Sequence, residues 1–243
     1  METKNYLFVF FLLILFSCKN DDNELTETIL EDYLELNTDK TLDEVIACAA
    51  SNETNPTDVN VYYYPITGSS EFRYYETEST DLDPDDFSNY TLQDFPTEAI
   101  LGGKLAQFSR TTDHEAWGIV TYLSDGKIHK SNPIRLKQLS VPTEYSMNIA
   151  VDISEITSPK FTWEESSSME DVIYFQAMAE STGSFVSGTY TTELCFRYYD
   201  TSNVVLNINT ETPPELDSSK TYIMNIMGVS EDNWVNLHAR ATF

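Results

Sequence analysis

The acidic stretch "DLDPDD" holds the residues whose types and spacing come nearest to a metal site. Asp81, Asp83 and Asp85 alternate as the first ligands of a calcium loop do, because hard carboxylate oxygens suit Ca²⁺. A complete loop needs glycine at its sixth position and a bidentate glutamate at its twelfth, where this chain has Asp86 and Leu92. The stretch is therefore predicted to be a solvated loop without metal, and a looser calcium site stays open.

Recognised catalytic motifs do not occur in the sequence. The three histidines are isolated, and a zinc-protease helix would need a second histidine at Gly118, four positions after His114. The stretch "STGSFVSG" lacks the Gly-x-Ser-x-Gly turn of hydrolases, and no Walker loop or dinucleotide fingerprint is present. We therefore predict no catalytic residue and no cofactor. Chance pairs among the 40 acidic residues leave one alternative, a hydrolase with an unrecognised acidic active site.

Aromatic side chains are the best candidates for a contact surface. Tyr62, Tyr64 and Tyr75 are predicted to alternate with an inward-facing set on two strands, and exposed tyrosines on a sheet face suit a protein or glycan contact. The same tyrosines would equally suit an interface that closes two domains together. Tryptophans on sandwich strands are more often core than carbohydrate platforms. Core positions are accordingly predicted for Trp117, Trp163 and Trp234.

The chain begins with a short apolar run. Lys4 supplies a positive start, and residues 6–16 are eleven consecutive apolar or aromatic residues. About 20 apolar residues are needed to span a bilayer, so the run fits a secretory signal peptide instead. A buried core helix would be amphipathic, with polar positions at helical spacing, and residues 7–16 contain none.

The end of this run, "LFSC" at residues 15–18, resembles the lipobox of bacterial lipoproteins. The resemblance implies that residues 1–17 are removed and that Cys18 carries the lipid that anchors the chain in the outer membrane. Several acyl chains on one terminus are needed for a stable anchor. The following residues resemble the export signal of Bacteroidota lipoproteins, which would consist of Lys19, Asp21 and Asp22 and imply display at the cell surface. The alternative is a passive acidic tether.

The charge of the chain excludes one class of partner. Its 40 acidic and 14 basic residues give −26, and the loss of Glu2 and Lys4 with the signal leaves that value unchanged. Such a charge repels phosphate backbones and anionic lipid, so we expect no nucleic-acid binding. Aromatic residues make up 13% of the chain, a composition too apolar for disorder. Cys48 and Cys195 are predicted to be buried free thiols in different domains, although an oxidising compartment would permit a disulfide.

The segment before the first strand is predicted to be an acidic tether over residues 18–40. A short helix stays open, because apolar residues recur at near-helical spacing at Leu25, Ile29, Tyr33 and Leu36. Residues 45–50 are predicted to be a strand, although a capping box at Thr41 and Glu44 favours a helix.

From residue 59 onward, alternating β-branched and aromatic residues predict strands at intervals of about ten residues. The clearest hairpin starts at Trp117 and turns at Asp125-Gly126, the preferred pair for a two-residue turn. Residues 138–145 lack a pattern and mark a boundary. The spacing predicts an all-β fold of two antiparallel β-sandwiches, at residues 41–140 and 146–243.

Over residues 45–243 the chain resembles tandem fibronectin type III and immunoglobulin-like modules of bacterial surface proteins. The resemblance rests on the strand "FTW" at residues 161–163, the late tyrosine strands, and "ETPPELDSSKTY" before the last hairpin. These modules have short loops, and the long stretch of residues 78–97 departs from that pattern. It is either an inserted loop or a sign that the first domain has a different number of strands. The resemblance implies binding or spacing rather than catalysis. We therefore predict a non-enzymatic, surface-exposed outer-membrane lipoprotein that binds an envelope protein or a glycan; the alternative is a lipid-anchored hydrolase.

Overall fold

The computed structural model describes residues 25–37 and 42–243, except for the side chains of residues 42–44. The predicted signal peptide, Cys18, Lys19, Asp21 and Asp22 lie outside the described residues. One α-helix, α1 (Leu30–Leu36), and two short 3₁₀ turns, Phe87–Asn89 and Leu101–Gly103, are present in the described part. A search of that part for a helix long and apolar enough to cross a membrane finds none.

Ten strands of the first half form two sheets. They are β1 (Leu42–Val45), β2 (Ala47–Ser51), β3 (Val59–Tyr63), β4 (Ser70–Glu76), β5 (Thr91–Gln93), β6 (Thr97–Ile100), β7 (Leu105–Arg110), β8 (Trp117–Ser124), β9 (Lys127–Ser131) and β10 (Ile134–Arg135). Sheet I has the order β1-β9-β8-β4-β5, with β10 also paired to β8, and sheet II has the order β2-β3-β7-β6. β5 is the strand that the sequence reading missed within residues 78–97.

Nine strands of the second half form two further sheets. They are β11 (Glu144–Ser146), β12 (Ala150–Asp152), β13 (Lys160–Thr162), β14 (Ile173–Glu180), β15 (Phe185–Thr191), β16 (Cys195–Arg197), β17 (Val204–Asn207), β18 (Tyr222–Val229) and β19 (Val235–Thr242). Sheet III has the order β11-β19-β18-β14-β15-β17, and sheet IV has the order β12-β13-β16.

These pairings confirm the predicted all-β fold with immunoglobulin-like antiparallel sandwiches. In the first half, sheet II supplies strands A, B and E of such a sandwich as β2, β3 and β7. Sheet I supplies strands C, F and G as β4, β8 and β9. The predicted hairpin is also confirmed, since β8 and β9 are joined at Asp125 and Gly126, which have φ of 48° and 75°. Positive φ at both positions is the requirement of a type I′ turn, and glycine meets it without strain.

The four sheets are stacked in the order I, II, III, IV, with apolar side chains between each pair. Val61 and Phe108 of sheet II meet Tyr74 and Val120 of sheet I in the first core. Between sheets III and IV, the second core includes residues from both sheets: Phe161, Trp163, Tyr174, Met178, Phe196, Met224 and Ile226. Trp163 is 3% exposed, as a core tryptophan should be.

A third apolar layer, the junction cluster, joins the two sandwiches. It lies between the outer faces of sheets II and III, and its fully buried members are Ala50, Leu105, Phe175, Ala177, Ile208, Met227, Val229 and Val235. Strands β2 and β14 are therefore apolar on both faces, with Ala49 and Tyr174 in the cores and Ala50 and Phe175 in the junction. Strands that are buried on both sides have this nearly continuous apolar pattern, which only Gln176 interrupts in β14 up to Ala179.

The predicted acidic tether is wrong for residues 25–37, because this segment packs on the outer face of sheet I. Leu30 and Tyr33 of helix α1 are buried against Tyr75, Ile119 and Ile128. The backbone N–H of Leu30 also donates to the Tyr90 carbonyl oxygen at 3.0 Å. The two inward residues lie three positions apart on one face of the helix, while Glu31 between them is exposed.

The segment between the sandwiches is packed rather than open. Strand pairing changes from sheet I to sheet III between β10 and β11. The Thr143 hydroxyl donates to the Val235 carbonyl oxygen at 2.8 Å and accepts from the Ser51 N–H at 2.8 Å. Trp234 Nε1 donates to the Val141 carbonyl oxygen at 2.8 Å. The limits 41–140 and 146–243 stay a prediction about folding units.

Candidate binding site at the junction of the sandwiches

Tyr75 does not lie on an open contact surface. It is fully buried under helix α1, and its hydroxyl donates to the Glu27 carbonyl oxygen at 3.0 Å. Burial raises the pKa of Tyr75 to about 12, although Arg73 works against the shift. The platform prediction is wrong for this residue because residues 25–37 cover the face on which it was expected to be exposed.

Tyr62 and Tyr64 face sheet III from sheet II and pack against the junction cluster. Both are half-buried, and burial raises the pKa of Tyr62 to about 12. The Lys104 ammonium lies over the Tyr64 ring, 5.2 Å from the ring centroid. The two tyrosines thus lie at the interface between the sandwiches, which was the alternative role considered for them, rather than on a free sheet face.

A cavity of about 220 Å³ opens at one side of this interface. We call it the junction groove. Its walls are Ile46 and Cys48 on one side and Phe175, Tyr190 and Leu206 on the other. The lining is completed by Val45, Ala47, Asn132, Ile173, Val229 and Asn233. A smaller recess next to it is lined by Tyr62 and Tyr64.

Strand register builds the wall that sheet III contributes. Phe175 of β14 lies directly opposite Tyr190 of β15, and the two rings stack with centroids 4.5 Å apart. Tyr190 in turn lies opposite Leu206 of β17. Directly opposed side chains on one sheet face are the pairs that stabilise a sheet, so these three form a continuous apolar row.

The other wall is made where the chain passes from sheet I to sheet II. Ile46 stands between β1 and β2, is 36% exposed, and has a carbonyl oxygen that accepts from the Tyr64 N–H at 3.0 Å. Cys48 follows on β2, and burial raises the pKa of its thiol to about 12. A thiol with so high a pKa stays protonated and unreactive. Cys48 and Cys195 are free thiols, as predicted, but both residues are half-buried rather than buried.

Polar groups stand at the edge of the junction groove. Asn132 and Asn233 both line it, and the Asn233 side-chain amide donates to the Pro133 carbonyl oxygen at 3.0 Å. The Asn233 carbonyl oxygen accepts from the Ala49 N–H at 3.1 Å. An apolar concavity between two structural units, with a few polar groups at its rim, is the usual form of a binding site.

The sequence reading missed a buried ion pair in the first core. Arg110 is fully buried, and its Nε and Nη2 donate to the two oxygens of Glu76 at 2.6 and 2.8 Å. The Tyr74 hydroxyl donates to the same carboxylate at 3.1 Å, and His114 Nε2 lies 3.3 Å from it. The Arg110 guanidinium binds both carboxylate oxygens and thereby neutralises the buried charge of Glu76. In the sequence, a single glutamate at the end of an aromatic strand does not indicate a buried ion pair.

The acidic loop is held by its own turns. Asp83 Oδ1 accepts from the Asp85 N–H at 3.0 Å, and Asp86 caps the 3₁₀ turn by accepting from the Ser88 N–H at 3.2 Å. Across the described part of the chain, no three His, Cys, Asp or Glu residues converge as metal ligands would. The loop that gave the strongest chemical pattern in the sequence therefore contributes no assembled site in this part.

No known family model matches the chain, and no curated protein does. Among solved structures, the chain is similar to the FN1–FN3 domains of chicken CNTN1, with 8% sequence identity and a TM-score of 0.31. The match covers 84% of this chain and 67% of that one. The assignment to immunoglobulin-like sandwiches rests on the strand pairing described above.

Proposed function

We propose that the chain is a non-enzymatic binding module whose ligand site is the junction groove. The observation that carries this proposal is the apolar row of Phe175, Tyr190 and Leu206 facing Ile46 and Cys48 across an open cavity. Leu206 is 41% exposed at the mouth of this cavity. Exposed apolar surface next to a concavity favours contact with a partner, because burying it removes apolar area from water.

The lining favours a protein partner over a glycan. Glycan recognition relies on many hydrogen-bonding side chains, whereas aliphatic and aromatic side chains dominate this groove. An apolar side chain of a partner protein suits such a lining, and the asparagines at the rim suit its backbone. The partner we propose is accordingly a protein of the cell envelope.

We also propose that Cys18 is acylated and anchors the chain in the outer membrane, with Lys19, Asp21 and Asp22 directing it to the cell surface. The packing of residues 25–37 on sheet I supports a short connection. Only residues 18–24 would separate the lipid from the packed segment, and seven residues reach at most about 25 Å when extended. The sandwiches would then be held close to the membrane.

Photocross-linking tests the groove. A photoreactive phenylalanine analogue in place of Leu206 should yield one discrete adduct in cells of the source organism, because Leu206 stands at the mouth of the groove. The same analogue in place of Thr162, an exposed residue on sheet IV, serves as the matched control and should yield none. An adduct of the same size from both positions, or none from Leu206, would contradict the proposal.

Two variants test the anchor separately. Cys18→Ser should move the protein from the membrane to the soluble fraction or leave its signal uncleaved. Replacing Lys19, Asp21 and Asp22 together by alanine should keep the protein in the membrane but protect it from protease added to whole cells. Unchanged protease sensitivity would show that these three residues are a passive tether.

A further inference from the structure

We propose that strand β17 binds an extended segment of the partner as an additional strand of sheet III. This inference rests on the proposed function and deepens it, since it states how the partner is held. β17 is the last strand of sheet III, and within the described residues no strand pairs with its outer side. Edge strands present backbone N–H and C=O groups that a second chain can pair with.

The sequence around β17 lacks the charges and the proline that often protect an edge, although the strand is short. Residues 201–210 contain neither a charged residue nor a proline, in a chain of which 22% is charged. Val205 is 58% exposed and Leu206 is 41% exposed. Proteins usually place lysine, proline or inward-pointing charges on such strands to prevent pairing, so an uncharged apolar edge favours it.

The edge and the junction groove are continuous. Leu206 lies opposite Tyr190, and Val204 lies opposite Thr191, so Val205 is the extra residue of a β-bulge and has no partner on β15. Leu206 therefore belongs both to the edge strand and to the groove wall. A strand added to β17 would place every second side chain on the groove side, because successive side chains of a strand alternate between faces.

Charge selects the kind of segment. Asp200 and Glu211 stand immediately before and after the uncharged run. The Asp200 carboxylate accepts from the Ser202 N–H at 2.9 Å, and this bond lowers the pKa of Asp200, which keeps it ionised. A second copy of this chain would bring the same acids and a further charge of −26 to the edge. The occupant that fits is a partner segment with alternating apolar residues and lysine or arginine at its ends.

Random eight-residue peptides displayed on phage and selected against the chain from residue 19 onward test the inference. We expect the selected peptides to alternate apolar residues and to carry basic ends. Val205→Lys should raise the Kd of a selected synthetic peptide at least tenfold, because it places a charge on the edge strand. Val205→Thr keeps the β-branched shape and should leave the Kd within twofold. No selected peptide, or equal binding by Val205→Lys, would overturn the inference.

Backbone methylation separates strand addition from side-chain binding. In an added strand, the amides of every second residue face β17. Methylating that set in the selected peptide should abolish binding, whereas methylating the other set should not. Equal effects of the two methylated sets would overturn strand addition. If the chain forms a dimer and Val205→Lys dissociates it, the edge pairs with a second copy, and the inference of a partner segment is overturned as well. If Val205→Lys leaves the cross-link from position 206 intact, strand addition is wrong and the groove still stands.

Discussion

The two sandwiches begin with the same arrangement and differ in their middle strands. In each, the first strand runs parallel to a late strand, as β1 does beside β9 and β11 beside β19, and the next strand pairs antiparallel with the one that follows. In the first sandwich β6 then joins sheet II, which gives that sheet four strands. In the second, β17 lies beside β15 instead, so sheet IV keeps three strands and sheet III gains an apolar edge. One strand placed differently creates the proposed binding edge.

The polar groups in the two cores differ as well. The first core contains the ion pair of Glu76 and Arg110, in which both partners are charged. Next to the second core, Gln176 donates to the Thr191 hydroxyl at 3.0 Å and accepts from the Thr189 hydroxyl at 3.1 Å. A neutral network loses one hydrogen bond when it is broken, whereas a broken ion pair leaves an unpaired buried charge. The first sandwich is therefore the more sensitive to a single substitution.

Breaking the ion pair should produce the largest effect. Arg110→Ala leaves Glu76 buried without its partner and should lower the free energy of unfolding by about 3–5 kcal/mol. Urea titration measures this change. The double variant Glu76→Leu with Arg110→Met removes both charges and should recover most of the loss. A loss below about 1 kcal/mol for Arg110→Ala would contradict the importance given to the pair.

Acid should weaken the second sandwich through His238. Burial, with help from Arg240, lowers the pKa of His238 to about 4, from 6.5 in an unfolded chain. Above pH 6.5 both states are neutral and the stability is complete; below it the unfolded state takes up the proton first, so stability falls until about pH 4. Between pH 7.5 and 4.5 we expect a loss of about 2–3 kcal/mol from this group.

The control for that prediction is His238→Gln, which cannot titrate. Carboxylates also titrate in this range, so the relevant quantity is the difference between the two proteins in their loss of unfolding free energy. An identical loss in the variant would show that His238 is protonated without cost in the folded chain.

The hairpin turn of the first sandwich should produce the smallest effect. Gly126 has φ of 75° and no atom within 4 Å of an added Cβ, so Gly126→Ala meets backbone strain alone. We expect a loss of about 1 kcal/mol in urea titration. The equivalent turn of the second sandwich holds Asn233 with φ of 63°, and this residue contacts the first sandwich through Ala49 and Pro133. If Asn233→Ala costs no more than Gly126→Ala, these contacts are unimportant.

Local patterns predicted the parts of the fold that depend on neighbouring residues. The pair Asp125-Gly126 specifies its turn, and the alternation around it specifies β8 and β9. Residues 30–36 were harder, because the helix has as many acidic residues as apolar residues that pack on sheet I. Burial of Tyr75 could not be predicted from its strand, since the covering helix, residues 30–36, lies far earlier in the chain.

The junction had a sequence signal that alternation alone did not reveal. The run "IYFQAMA" of β14 has apolar residues on both faces and only Gln176 between them, which indicates a strand covered on both sides. Trp234 was predicted to be buried, and it is fully buried. Its position in the first core, although it belongs to a turn of the second sandwich, depends on how the two halves pack. No single segment contains that information.

We expect the junction cluster and Trp234 to join the two sandwiches into one cooperative unit. Without the first half, residues 146–243 would expose Phe175, Met227 and Val229 to water.

Differential scanning calorimetry of the chain from residue 19 onward tests this claim most directly. We expect one transition whose calorimetric and van't Hoff enthalpies agree. Trp234→Ala should lower its midpoint and split it in two, because the first core loses a side chain that the second sandwich contributes. Two separate transitions in the unaltered chain, with midpoints that Trp234→Ala does not change, would contradict the claim.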